Sequence, residues 1–198
     1  MSKKPFPYLP FIKREKTRIN AIILIKNLTT AGRYWYVYHE SLGNNTELYL
    51  NDSGTAPGST GAWETTSPTN QVFTVGDHNG VNQNGNDHIA YCFEEKKGFS
   101  KFGTYTGSND TGTDGSIDDT FVYTGFKPAF IMFRKLTGES WVIADNARDP
   151  DNPTQNYLLA DNAGGQGTQD KMYDFVSNGF VMKLNTQNES GSTYIYMA

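Results

Sequence analysis

The sequence predicts an all-β fold, an antiparallel β-sandwich built from an internal duplication, on three observations. The first is a repeated segment: Ala21-Ile-Ile-Leu-Ile-Lys-Asn-Leu-Thr29 returns as Ala129-Phe-Ile-Met-Phe-Arg-Lys-Leu-Thr137, an apolar run, a cation, then Leu-Thr. The second is composition. Among 198 residues there are 12 Tyr, 12 Phe and 20 Gly, with Thr and Asn between them, the residues of half-buried strands and tight turns. The third is the want of helix: no stretch carries an apolar stripe at helical spacing, and the best candidate, Gln169 to Phe175, has room for one or two turns.

Laid over one another, the two copies keep step well beyond that segment. The offset is 108 through the first strand and 106 after a turn of different length, so Trp35 falls on Trp141, Asn82 on Asn188, Gly85 on Gly191, and His88 to Cys92 on Tyr194 to Ala198. Two copies are too few, and each is too long, for a solenoid or propeller. The expectation is two halves of one sandwich, or two small packed β-modules, at 19–97 and 121–198, with matching hairpins related by approximate two-fold symmetry. Trp35 and Trp141 stand at equivalent places in repeated strands and are expected in the core.

In chain order, Met1 to Arg18 holds three prolines and six cations, which reads as an extended basic arm suited to docking on a neighbouring subunit. Ile19 to Lys26 and Tyr34 to His39 form the first hairpin around a turn at Thr29 to Gly32, and a short strand follows at Glu47 to Leu50. Asn51 to Asn70, rich in Gly, Ser, Thr and Pro, is a long loop of the kind that is functional or disordered. Gln71 to Val75 and His88 to Glu94 are expected to close the copy as a pair, with turns at Asn79-Gly80 and Asn84-Gly85 between them. Gly98 to Gly125 reads as a Gly- and Asp-rich bridge with one strand of its own at Phe121 to Tyr123. The second copy then supplies Pro128 to Leu136, Trp141 to Asp145, Tyr157 to Leu159, Phe175 to Leu184 and Ser192 to Ala198.

Charge is divided unevenly: residues 1–33 carry a net +7, and the remainder a net −11. An acidic body argues against tracking nucleic-acid phosphates and suits cation binding or solubility. No stretch reaches the roughly 18 apolar residues of a membrane-spanning helix, so no membrane insertion is expected. Met1 to Arg18 lacks the apolar core of a signal peptide, and synthesis in a cytoplasm is expected. The single cysteine, Cys92, lies in an apolar strand and is expected to be a small buried hydrophobe.

Catalytic patterns are missing. The three histidines, His39, His78 and His88, fall in no HExxH arrangement, no GxSxG or CxxC spacing exists, and no glycine-rich phosphate loop is written. Glu94 and Glu95 are adjacent strand residues on opposite faces, so they cannot form the facing carboxylates of a glycosidase. No enzyme is expected. Two binding readings stand beside that. Asp110, Asp114 and Asp118 alternate in a loop with calcium-like spacing, although Phe121 occupies the place of the closing acid, so calcium is the one cofactor considered. Trp63 and Tyr105, as exposed rings beside Asn82 and Asn86 in amide-rich loops, are the candidates for stacking and hydrogen-bonding a sugar.

Several segments together resemble a known family. They are Trp35-Tyr-Val-Tyr-His-Glu-Ser-Leu-Gly43, Tyr49-Leu-Asn51, Phe73-Thr-Val-Gly76, Ile89-Ala-Tyr-Cys-Phe93, Phe99-Ser-Lys-Phe-Gly-Thr-Tyr-Thr-Gly107, Phe121-Val-Tyr-Thr-Gly-Phe-Lys-Pro-Ala129, Phe175-Val-Ser-Asn-Gly-Phe180 and Tyr194-Ile-Tyr-Met-Ala198. Over about residues 20–198 the pattern resembles an uncharacterised β-rich domain family of tailed-bacteriophage structural proteins, found in or near tail-fibre genes. The resemblance implies a lectin-like or SPRY-like jelly-roll sandwich and no catalytic residues. It also implies a virion location in a fibre, spike or capsid-decoration role, with other virion proteins or further copies of the chain as partners and host surface polysaccharide as a ligand. The alternatives are a polysaccharide-degrading enzyme on a β-sandwich and a free-standing carbohydrate-binding module.

Overall fold

The computed structural model describes residues 21–109 and 120–198. The basic arm and the loop with Asp110, Asp114 and Asp118 lie outside the described residues. Among these residues the fold is all-β and antiparallel, twelve strands with one four-residue α-helical turn and two three-residue 3-10 turns. No helix among them is long and apolar enough to cross a membrane. They divide into two compact units, one holding the described residues up to Tyr49 with Pro57–Glu94, the other Leu50–Ala56 with Glu95–Ala198.

In the first unit, β1 (Ala21–Asn27), β2 (Trp35–His39), β3 (Leu48–Tyr49) and β4 (His88–Glu94) make a sheet of order β3-β2-β1-β4. Period-two alternation puts Ile23, Ile25, Tyr36 and Tyr38 on one face, where they are buried with Ala62, Trp63 and Val81. The β1–β2 turn is held by Asn27, whose Oδ1 accepts from Thr29 N at 3.0 Å and Thr30 N at 2.9 Å. Glu47, fully buried, fixes the long loop: its carboxylate accepts from Thr60 N at 2.8 Å, Ala62 N at 3.1 Å and the Thr60 hydroxyl. The helical turn α1 (Asn79–Asn82) starts at His78, whose Nδ1 accepts from Gly80 N at 3.0 Å.

The second unit is a single sheet of eight strands: β5 (Phe102–Thr106), β6 (Thr120–Tyr123), β7 (Phe130–Lys135), β8 (Val142–Asp145), β9 (Thr154–Leu159), β10 (Gly167–Val176), β11 (Gly179–Met182) and β12 (Thr193–Met197). Their order is β5-β12-β7-β8-β9-β10-β11-β6. Rings from one end of this sheet meet rings from the other, so the sheet folds over on itself as a sandwich. Tyr105 on β5 meets Phe180 on β11 at 6.3 Å, Phe133 on β7 meets Tyr173 on β10 at 5.4 Å, and Phe180 meets Tyr196 on β12 at 5.5 Å, all edge to face.

The two units repeat one arrangement. Order β9-β8-β7-β12 in the second matches β3-β2-β1-β4 in the first. Registers match as well: Ile22 pairs with His39 and Phe130 with Asp145, while Leu24 pairs with Tyr91 and Met132 with Met197, in both cases residues aligned by the sequence repeat. The aligned turn glycines share a left-handed conformation, with φ of 75° at Gly32 and 107° at Gly138, and 79° at Gly85 and 75° at Gly191.

Five expectations are corrected. Gln71 to Val75 is not a strand paired with β4; Val75 makes a lone bridge to Trp63, and β4 lies along β1, whose seven residues give it a full-length partner. Gln169 to Phe175 is not helical but belongs to β10, where a bulge between Thr168 and Tyr173, with φ of 51° at Lys171, breaks the alternation that would have marked it as a strand. The bridge holds two strands and not one: besides β6 at the expected Phe121 to Tyr123, Phe102–Thr106 forms β5 by pairing with β12. Cys92 is exposed: it sits opposite Ile23 on an edge strand. Of the two aligned tryptophans only Trp141 is fully buried; Trp35 is half-buried and stacks on Tyr91 at 6.0 Å.

Candidate functional site

The aromatic platforms expected from the sequence are core residues. Trp63 is 5 % exposed and packs edge-on to Tyr38, and Tyr105 is 8 % exposed and stacks flat on Tyr194, centroids 4.8 Å apart. Neither ring can receive a sugar. The amides are also engaged, since Asn82 Nδ2 donates to Gly76 O at 3.0 Å and Asn86 Nδ2 to Thr30 Oγ1 at 2.6 Å. Of the two adjacent acids, Glu95 pairs with Lys101 at 2.8 Å. Among the described residues no group of three or more His, Cys, Asp or Glu side chains could hold a metal ion.

What the second unit does present is an open cleft of about 690 Å³, lined by Ser53, Glu139, Ser140, Val142, Tyr157, Leu159, Thr186, Gln187 and Glu189. Four parts of the chain build it. The β7–β8 turn brings Glu139 and Ser140, β8 and β9 supply the apolar floor of Val142 and Leu159 with the Tyr157 ring, and the loop before β12 brings Thr186 to Glu189. Ser53 arrives on the 50–56 segment, fastened to the same unit by Arg134, whose guanidinium donates to Asp52 O at 3.0 Å and to Gly54 O. Below the loop, the stacked tyrosines act as posts. Tyr105 Oη donates to Gln187 O at 3.0 Å, and Tyr194 Oη accepts from Glu189 N at 3.1 Å. Tyr105 therefore shapes the cleft from beneath and has no face in it.

Glu139 and Glu189 converge on one ammonium. Lys135 Nζ is 3.4 Å from Glu139 Oε1 and bonds Glu189 Oε2 as well, and Ser192 Oγ donates to Glu189 Oε2 at 3.2 Å. The hydrogen bond from Lys135 holds the Glu189 carboxyl below its ordinary range and raises the Lys135 ammonium. Partial burial pushes Glu139 up, with the charge of Glu189 adding to it and Lys135 opposing. Glu139 also has φ of 141°, a conformation nearly confined to glycine and costing of order 1–3 kcal/mol, so the turn is strained where it presents this carboxylate.

Sequence reasoning missed these residues because Lys135 ends a strand while Glu139 and Glu189 lie in two separate loops, and together they form no linear motif. The repeat did carry a signal. Lys135, Glu139 and Glu189 align with Asn27, Arg33 and Gln83, so the copies differ in charge at three places where their strands agree. In the first unit the corresponding pair is neutral: Asn27, 1 % exposed, donates through Nδ2 to Gln83 Oε1 at 3.4 Å and to Asn79 O at 3.2 Å.

The cleft wall makes a checkable prediction. A Cβ added at Gly167 would fall 2.4 Å from Tyr157 Cζ, so Gly167→Ala must displace the ring. A loss of about 1–3 kcal/mol is expected, measured by chemical denaturation. Unchanged stability would show that the ring moves freely and is not a fixed wall.

No curated protein and no solved structure matches the chain. Residues 14–198 match the family described as Domain of unknown function (DUF7483), which takes in both units and the cleft. By that match the chain belongs to the DUF7483 family.

Proposed function

We propose that the chain is a non-enzymatic structural protein of a tailed-phage virion, in a fibre, spike or surface-decoration role, whose second unit recognises host surface glycan. The observation that carries the recognition half is the open cleft. It combines a tyrosine ring and an apolar floor with hydroxyl, amide and carboxylate groups, the mixture that accommodates a sugar's apolar ring face and its hydroxyls. The virion half rests on the resemblance of the segments between residues 20 and 198 to phage structural domains. A rigid sheet with recognition groups on its connecting loops is consistent with both halves.

Two measurements test the proposal. The chain should be found by mass spectrometry in purified phage particles, and its absence from them would remove the virion role. On a glycan array paired with a depolymerisation assay on host surface polysaccharide, binding without turnover is expected. Turnover would establish the enzyme alternative, and neither binding nor turnover would leave assembly as the role.

A further inference from the structure

We infer that the Lys135-clamped pair Glu139 and Glu189 makes the cleft selective for uncharged sugar residues with adjacent hydroxyls, and excludes acidic glycans. This rests on the recognition reading above and adds the class of ligand. Four features of the cleft carry it.

The first is acceptor supply. With Lys135 on Glu139 Oε1 and Glu189 Oε2, the other oxygens, Glu139 Oε2 and Glu189 Oε1, take no hydrogen bond from the described residues. Sugar hydroxyls are donors, and carboxylate acceptors form charge-assisted bonds stronger than neutral ones. The second is charge. Two carboxylates face one ammonium, so a uronate or phosphate group entering the cleft would add a like charge close to both acids. The third is divergence between the copies. Where the first unit closes the positions of Lys135 and Glu189 with a neutral, part-buried Asn27–Gln83 contact and carries Arg33 at the place of Glu139, the second holds an ionic cluster at the surface, with Glu139 side-chain exposure of 41 % and Glu189 of 56 %. The first unit fastens the corresponding turn without a carboxylate, through Lys26 on Arg33 O and Asn27 on Thr29, Thr30 and Gln83. The fourth is geometry against hydrolysis. A general acid has to offer its proton to the glycosidic oxygen, whereas here the same lysine engages both carboxylates, and both are open to water.

The test uses the full chain on affinity gels carrying mannan and galactan, both uncharged, and polygalacturonate as the acidic comparison. Retention on at least one neutral gel, and none on polygalacturonate at low salt, is the expected result. Glu139→Gln and Glu189→Gln should each weaken neutral binding about tenfold, with unchanged melting temperatures, as loss of a charge-assisted hydrogen bond predicts. The double variant should bind more weakly still, yet gain tolerance of polygalacturonate. Wild-type retention on polygalacturonate equal to that on the neutral gels overturns the selectivity while leaving glycan recognition standing. Neutral binding unaffected by both substitutions overturns the assignment of these two residues. Retention on no gel, combined with no signal on the glycan array, overturns the recognition reading itself. Release of reducing ends from mannan or galactan overturns the non-catalytic role given to the pair.

Discussion

Replacing Glu47 by alanine is expected to destabilise the first unit by about 3–5 kcal/mol, because it leaves the Thr60 and Ala62 amides and the Thr60 hydroxyl without their acceptor. Each buried unsatisfied group costs about 1–3 kcal/mol, and the residue is fully buried, so water cannot readily take the place of the carboxylate. For a chain of this size the melting midpoint should fall by roughly 10 °C. Glu47→Gln retains one acceptor oxygen and should lose less. A shift below about 2 °C for the alanine variant would mean that the loop is held by something other than this carboxylate.

Phe180→Ala should cost a similar amount, about 3–5 kcal/mol, by a different mechanism. Phe180 is fully buried and its ring meets Tyr105 and Tyr196 edge to face, so truncation opens a cavity between the two sides of the folded sheet. Phe180→Leu refills part of that volume and should cost less. Denaturant midpoints measured at constant slope test this. Since Tyr105 also supports Gln187 from below, the alanine variant is further expected to loosen the cleft, which the Glu47 variant would not do.

Much of this fold was legible because the repeat imposes one pattern twice. The apolar runs of Ala21–Asn27 and Phe130–Lys135, and glycines at the aligned turns, marked strands and registers together. What escaped was decided by partners distant in sequence. Phe102–Thr106 is rich in Gly and Thr and reads as a linker, and becomes a strand because β12 offers it an edge. Trp63 lies in a stretch of loop composition, and only its packing into the cluster of Ile23, Ile25, Tyr36 and Tyr38 buries it. The carboxylates of the cleft escaped for the same reason: Glu139 and Glu189 sit fifty positions apart, and Lys135 is what joins them.

The place of β12 in the second sheet bears on the order in which that sheet can assemble. It lies between β5 and β7, so Thr106 waits for Thr193, and Phe102 for Met197, before β5 has any neighbour. Pairings so far apart pay loop-closure entropy before any contact rewards them and slow the folding of β proteins. Strands β7 to β11, joined in sequence by short connections, can pair first as a meander. β12 then enters as a keystone, and its arrival docks β5 and sets the tyrosine posts beneath the cleft in the same step. Refolding should accordingly show the hairpin strands protected from hydrogen exchange well before the amides of Phe102–Thr106.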